Sequence, residues 1–216
     1  MRYVGLVLIL GIALVSCKKK EENPLAKAPG MREIFTAEEL TDLNDLLKLF
    51  EGEICQTYEG EPTDLRQCYD AFFASLKGAK PGVDYIPISF EEQHRVIGNF
   101  HTGSLATFWN NQVVMRKQEV GPKKILSLVY QPNGKLLEFF KMVGKDHVLV
   151  EQYAEDFEAI HTISPVMEQE MFRTIGLYDL SDVRVRLVLA LHFVTLNDNY
   201  KRTHNMEVKI VPVGEE

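Results

Sequence analysis

The segment 183–194 constrains the fold of this chain more than any other part of the sequence. Its apolar residues occupy every second position, which is the period of the side chains along one face of a β-strand. The opposite face begins with Arg184 and Arg186 and becomes apolar at Val188 and Ala190. A strand that is solvated at one end and covered on both faces further along belongs at the centre of a sheet. We therefore predict a central strand, with one face formed by Val183, Val185, Leu187, Leu189, Leu191 and Phe193.

Shorter alternating segments predict the other strands of an antiparallel sheet. A Pro-Asn-Gly turn at 132–134 is a strong hairpin signal between the segments 124–130 and 135–143. Further strands are expected on both sides of the Asn pair at 110–111, after the turn at 144–146 and near the end of the chain. These further segments are 104–109, 112–118, 147–153 and 206–213. Together with the central strand they predict an antiparallel sheet of about six or seven strands.

Capping signals predict the helices: capping boxes at 36–39 and 89–92, and the N-cap pair Ser164-Pro165. The box from Thr36 to Glu39 opens a helix whose apolar residues recur at helical spacing as far as Ile54. After a break at 59–62, a second helix begins near residue 63 and forms an antiparallel hairpin with the first. A short third helix is predicted over 89–97 and another over 165–174. The predicted fold class is α+β, with the helical hairpin and the short third helix packed on the sheet.

Two cysteines lie at the closed end of the predicted helical hairpin. Cys55 is near the end of the first helix and Cys68 is near the start of the second. Disulfides form in the oxidising compartments to which exported proteins are sent, and a bridge here would join the two helices. The alternative is that both are buried thiols that pack as small apolar side chains. A metal site is not expected, because no other Cys or His lies two to four residues from either cysteine.

The N-terminus carries an export signal. Arg2 precedes an uncharged run from Tyr3 to Val15, which is shorter than the ~20 residues of a membrane-spanning helix and fits a cleaved signal peptide. The run ends in Leu14-Val15-Ser16-Cys17, which resembles the lipobox of bacterial lipoproteins. That resemblance implies that Cys17 receives a diacylglyceryl group and becomes the acylated first residue after cleavage. The alternative is an ordinary signal peptide in which Cys17 has no role.

The same resemblance defines the signal peptide and the location, whereas composition and length predict the tether and a single domain. Residues 1–16 are the predicted lipoprotein signal peptide, 17–30 a flexible charged tether, and 31–216 a single globular domain. Lysines and two glutamates follow Cys17, and an inner-membrane retention signal with Asp at the second position is absent. The charged run is similar to export tags of surface-displayed lipoproteins, and it also fits a solvated spacer. We expect a lipid-anchored protein of the outer membrane, in either its inner or its outer leaflet.

Charge argues against nucleic acid as a partner. The whole chain has a formal net charge of −7, and removal of residues 1–16 deletes one basic residue and leaves −8. Binding to phosphates needs clustered Lys and Arg residues. A hydrophobic fraction of 45% is enough for a packed core. The expected partners are the membrane, through the lipid on Cys17, and a protein of the cell envelope.

The candidate catalytic residues are Glu91, His94 and His101, with Trp109 nearby. Glu91 and His94 share a helix face, as a carboxylate and an imidazole must in order to relay a proton. The alternative is that His94 is a core histidine, because it also falls on the apolar stripe of its helix. Zinc, nucleophile-elbow and P-loop motifs are absent from the sequence, and no metal or cofactor is expected.

Three functions are compatible with these patterns. The first is a non-enzymatic binding or assembly module that contacts another envelope protein. The second is a carrier that holds a small apolar ligand against a concave sheet face, although core packing also explains its aromatic residues. The third is a hydrolase of envelope polymers that acts through Glu91 and His94. The aromatic residues of the carrier hypothesis are Phe139, Phe140, Tyr153, Phe157, Phe172 and Tyr178.

Overall fold

The computed structural model describes residues 22–56, 64–77, 87–118 and 121–204, with residues 114–118 and 121–126 described by their backbone alone. This part of the chain is mostly helical and contains one two-stranded antiparallel sheet. The helices are α1 (Met31–Ile34), α2 (Ala37–Gln56), α3 (Leu65–Ser75), α4 (Phe90–Gly98), α5 (Ser104–Phe108), α6 (Lys135–Gly144), α7 (Val148–Ile160), α8 (Pro165–Thr174) and α9 (Val183–His204). The strands are β1 (Trp109–Gln118) and β2 (Gly121–Tyr130).

The predicted sheet of six or seven strands is wrong, and so is the α+β fold built on it. The segment that was expected to be its central strand forms α9, a helix of 22 residues. From Val185 to Val194 the side chains of α9 are buried except for Arg186, which is half-buried. A helix that is buried on all sides is apolar on all sides, so an alternating pattern fits it as well as it fits a strand. Where both faces are apolar, an alternating pattern therefore does not distinguish a strand from a helix.

Three more predicted strands are helical. The segment 135–143 forms α6, the segment 147–153 lies in α7, and most of 104–109 forms α5. In α6 the buried residues Leu136, Phe139, Phe140 and Val143 have the spacing of one helix face. The Pro-Asn-Gly turn exists, with Asn133 at φ 55°, but it leads from β2 into α6. The last predicted strand, 206–213, lies outside the described residues.

The helices that were predicted from capping signals are confirmed. The amide of Thr36 donates to Glu39 Oε2 at 2.8 Å, and the amide of Glu39 donates to Thr36 Oγ1 at 3.2 Å. This reciprocal pair is the capping box that starts α2. Ser89 caps α4 and Ser164 caps α8 in the same way, each by accepting a bond from the amide three residues later.

A disulfide between Cys55 and Cys68 joins the end of α2 to the first turn of α3, with the two Cα atoms 4.7 Å apart. The two helices pack as the expected antiparallel hairpin around Phe50, whose ring contacts Phe72 at a centroid distance of 5.6 Å. The bridge therefore links two helices whose inner faces already pack together.

Reduction of this disulfide is expected to lower the free energy of unfolding by up to about 3 kcal/mol, because the bridge closes a short loop in the unfolded chain. Thermal unfolding with and without a reductant measures the effect. The double variant Cys55→Ala/Cys68→Ala is the control and should not respond to the reductant. An unchanged melting temperature of the unaltered chain under reducing conditions would contradict the prediction.

The β1–β2 hairpin is attached to the domain at its root. Trp109 and Tyr130 are directly opposite each other at the first register position, and both are buried. Asn199 of α9 covers the outer edge of β2: its Oδ1 accepts from the Leu128 amide at 2.7 Å and its Nδ2 donates to the Leu128 carbonyl at 2.9 Å. By contrast, residues 110–113 of β1 are exposed. At its root, the hairpin therefore packs on α9 through β2, while β1 is exposed to solvent.

The folded domain begins earlier than predicted. Leu25 lies in a 3-10 turn and is fully buried, and Asn23 Nδ2 donates to the Leu40 carbonyl at 2.8 Å. Gly30 has φ 77°, and a Cβ there would approach Met142 Sδ to 2.9 Å. Residues 22–30 of the predicted tether are thus part of the packed domain, while Cys17 and the lipobox lie outside the described residues. In the described part of the chain, no helix is both long and apolar enough to cross a membrane.

Candidate functional site

His94 connects α4 to α9 through a side-chain contact. Its Nε2 lies 2.6 Å from Oδ1 of Asp198, whose side chain is only 1% exposed. Arg202, one turn further along α9, donates from Nε to the other oxygen of the same carboxylate. Its guanidinium also lies 5.6 Å from the centre of the Phe90 ring, which stacks on the His94 imidazole at 3.9 Å. A buried carboxylate that holds a half-exposed imidazole can orient it for proton transfer, and it also joins two helices.

His101 makes a similar contact at a different place. Its Nδ1 lies 2.8 Å from Asp42 Oδ1, and its amide donates to Asp42 Oδ2 at 3.0 Å. The hydrogen bond to this carboxylate and its negative charge raise the pKa of His101. Because Asp42 is in α2, the pair joins the loop before α5 to the helical hairpin. His94 and His101 are therefore held by different aspartates on different helices.

The remaining members of the predicted cluster take other roles. Glu91 lies on the exposed side of α4, and Glu92 pairs with Arg95 on the same helix at 2.5 Å. Trp109 is buried, and its Nε1 donates to Thr195 Oγ1 of α9 at 2.9 Å. Among the described residues, no group of three His, Cys, Asp or Glu side chains has the geometry to hold a metal ion. The predicted residues are brought to neighbouring helices but not to one reaction centre.

The sequence did not reveal a buried amide network beside His94. Asn197 Nδ2 donates to Gln93 Oε1 at 2.8 Å and to the Ile88 carbonyl at 3.0 Å. Gln93 Nε2 in turn donates to the Val194 carbonyl at 3.1 Å. The only local signal was a run of polar residues after the apolar part of α9, and the partners are more than 100 residues apart in the chain. This network positions α4 on α9.

Two ionisable side chains of α9, the half-buried Arg186 and the buried His192, face other helices. Arg186 Nη1 lies 2.6 Å from Glu51 Oε1, which also accepts a bond from the Tyr69 hydroxyl at 3.1 Å. Burial raises the pKa of Glu51 in spite of these two bonds. On the opposite side, the hydroxyl of Tyr153 lies 3.2 Å from Nδ1 of His192, and burial lowers the pKa of His192 to about 3.

A third histidine–aspartate pair lies before α9. His147 Nε2 lies 2.9 Å from Asp182 Oδ2, and Arg184 donates to the same carboxylate at 2.6 Å. Burial opposes ionisation of Asp182, but the bonds from Arg184 and His147 outweigh it and hold the pKa at about 2. The pair connects the start of α7 with the start of α9, so α9 is the element on which the polar contacts of the domain converge.

The outer layer formed by α7, α8 and the 3-10 turn Ile175–Leu177 has the features of a contact surface. Val148, Val166 and Leu177 are 73%, 73% and 75% exposed, respectively. From residue 148 to residue 177 the sequence contains six acidic residues and one basic residue. A shallow cleft that encloses only about 20 Å³ lies between the two helices, and its lining includes Leu149, Tyr153, Asp156, Met167, Glu170, Met171 and Tyr178. Apolar side chains and negative charge are thus exposed together.

The aromatic residues of the carrier hypothesis are mostly in the core. Phe139, Phe140 and Phe157 are fully buried and pack on one another, and Tyr130 of β2 joins them at 5.2 Å from Phe157. Phe172 stacks parallel to Phe193 of α9. Tyr153 and Tyr178 reach the α7–α8 cleft with their edges. Among the described residues the sheet is the two-stranded β1–β2 hairpin, which does not form the concave sheet face that the carrier hypothesis requires.

No protein-family model, curated protein or solved structure matches this chain.

Proposed function

We propose that this protein is a lipoprotein of the bacterial outer membrane that acts as a non-enzymatic binding or assembly module. The lipobox Leu14-Val15-Ser16-Cys17 after a short apolar run supports the anchor. Several acyl chains, as on lipoproteins of this type, bind a bilayer far more durably than a single chain does. The folded domain that follows acts at the membrane surface through contact with another protein of the envelope.

The observation that carries the binding function is the α7–α8 layer. Large apolar side chains that are exposed in one region mark interaction sites more often than scattered ones do. Here three of them lie on one outer layer together with a cleft and an acidic charge. The matching partner surface carries apolar side chains that are framed by Lys or Arg, because charge complementarity sets the orientation and rate of such contacts.

The other two functions have less support. Holding a small apolar ligand requires a pocket that encloses most of it, and typical ligand pockets measure roughly 300–1,000 Å³. The α7–α8 cleft is shallow and encloses only about 20 Å³, the space of about one water molecule, so it lies far below that range. For the hydrolase, His94 is held between Asp198 and the Phe90 ring, which supports a role in joining α4 to α9.

Crosslinking in intact cells tests the binding function. We expect a defined crosslinked species with the unaltered chain and its loss in the triple variant Val148→Ser/Val166→Ser/Leu177→Ser. Because these side chains are already exposed, the melting temperature should change little. Val113→Ser is the matched control, since Val113 is 65% exposed but lies on β1. A crosslinked species that survives the triple variant would contradict the assignment of this surface.

Mass spectrometry of the purified protein tests the anchor and the carrier in the same preparation. We expect an acylated N-terminal Cys17, and Cys17→Ala is expected to release the protein from the membrane fraction. A non-covalent lipid that is extracted from the folded protein, with no crosslinked partner, would favour the carrier instead. An unacylated N-terminus would refute the anchor but would leave the α7–α8 assignment to the crosslinking result.

A further inference from the structure

We propose that four basic residues in the outer half of the β1–β2 hairpin, Arg116, Lys117, Lys123 and Lys124, form a second membrane contact, which docks on the anionic headgroups of the bilayer that holds Cys17. This inference rests on the proposed lipid anchor and adds to it an electrostatic contact made by the domain itself. It is carried by three observations: the charge of the hairpin, the position of its root and the length of chain between the anchor and the domain.

The hairpin is basic in an acidic protein. Residues 109–130 contain four basic residues and one acidic residue, whereas the chain without residues 1–16 has a net charge of −8. In the strand register Arg116 is directly opposite Lys123, and Lys117 and Lys124 are their immediate neighbours in the chain. Like charges at opposite positions destabilise an antiparallel pair. An anionic partner would neutralise the repulsion between these like charges and so stabilise the strand pair.

The hairpin root and the start of the folded domain lie in the same region. Asn23, the first residue with a bond to the body of the domain, donates to the Leu40 carbonyl in the first turn of α2. Phe35, between α1 and α2, packs against Phe108 at a ring distance of 5.9 Å, and Phe108 directly precedes β1. Whatever holds the N-terminus close to a membrane therefore also holds the hairpin root close to it.

The covalent distances allow the contact. Cys17 and Asn23 are six positions apart in the chain, so the acylated residue lies at most about 21 Å from the point where the chain joins the domain. Each strand of the hairpin has ten residues, and the hairpin is therefore about 30 Å long. A tether of this length lets the basic residues of the hairpin come within about 10 Å of the headgroups, which is the range over which surface charges act. Within that range an anionic bilayer attracts these residues and repels the acidic rest of the domain, which orients the domain with the hairpin toward the headgroups.

Hydrogen exchange of the full chain in vesicles tests the inference. The protein extracted from membranes is reconstituted in phosphatidylcholine alone and in equal parts of phosphatidylcholine and phosphatidylglycerol. We expect the amides of β1 and β2 to exchange at least about tenfold more slowly in the anionic vesicles. The difference should disappear at about 1 M salt, where the Debye length is only about 3 Å. Equal exchange in the two kinds of vesicle would overturn the proposal.

Two charge variants separate a specific contact from a general charge effect. Replacing Arg116, Lys117, Lys123 and Lys124 with Gln should abolish the protection by anionic vesicles. The control replaces four basic residues that are exposed elsewhere on the domain with Gln in the same way, and it should leave the protection in place. These residues are Lys48, Arg66, Lys77 and Lys145. Equal loss of protection in both variants would overturn the assignment to the hairpin.

The remaining outcomes distinguish the two proposals. A chain that does not remain with neutral vesicles lacks the anchor, which refutes the proposed lipid attachment but leaves the α7–α8 binding surface to the crosslinking result. The hairpin is then tested by adding the chain to preformed anionic vesicles. A hairpin that is unprotected on anionic vesicles but becomes crosslinked to a protein in cells would overturn the membrane contact in favour of a protein contact.

Discussion

Arg186→Met is expected to lower the free energy of unfolding by about 3–5 kcal/mol, the largest effect of a single substitution that we predict. Arg186 and Glu51 form an ion pair between α9 and α2 in which both side chains are less than one fifth exposed. Removing the guanidinium leaves the Glu51 carboxylate buried beside Tyr69, without its opposite charge. Urea unfolding of the variant and of the unaltered protein measures the difference.

The double variant Glu51→Gln/Arg186→Met is the control for this prediction. It removes both charges but keeps an acceptor for the Tyr69 hydroxyl, so most of the lost stability should return. Recovery in the double variant would show that the loss in Arg186→Met comes from an uncompensated buried charge. If the single and double variants were equally unstable, lost packing of the long Arg186 side chain would be the cause instead.

Acidification is expected to destabilise the protein through His192 by about 1.4 kcal/mol for each pH unit below its unfolded-state pKa of about 6.5. In the folded protein the pKa of His192 is lowered to about 3, because the imidazole is buried in the core. Between these two values the unfolded chain binds a proton that the folded chain does not. Stability therefore falls as the pH falls, by roughly 3 kcal/mol between pH 6.5 and pH 4.

His192→Gln isolates this contribution, because glutamine can bond the Tyr153 hydroxyl but does not gain charge. We expect the variant to lose less stability than the unaltered protein between pH 7 and pH 4, whatever its stability at pH 7. His161→Asn is the matched control: His161 is exposed and has φ 54°, a conformation that asparagine tolerates. Parallel pH profiles for His192→Gln and the unaltered protein would show that His192 is not the sensitive group.

These predictions share a cause in the position of α9. The helix α9 is surrounded by the helical hairpin α2–α3, by α4 and by the root of the β1–β2 hairpin. It makes a polar contact with each of them. Arg186 faces α2, Thr195 bonds Trp109, Asp198 holds His94 and Asn199 binds the backbone of β2. A central helix with such contacts specifies the order in which its neighbours pack, since each polar group is satisfied by one neighbour only.

Sequence alone determined the features that depend on neighbouring residues. A capping box involves residues three apart, so the helices that begin at Thr36 and Ser89 could be predicted from their first turns. The proximity of Cys55 and Cys68 followed from the same local signals, because two helices joined by a short break place both cysteines at one end, whereas the bridge itself was one of two alternatives that the sequence left open.

Tertiary structure decided the features that depend on what covers each residue. Apolar residues on both faces of 183–194 left strand and helix equally compatible with the pattern, and burial among α2, α4 and β2 made this segment a helix. Likewise, the partners of His94 and His101 are 104 and 59 residues away in sequence. Spacing cannot reveal such partners, because hydrogen bonds and burial between distant residues arise only when the whole chain packs.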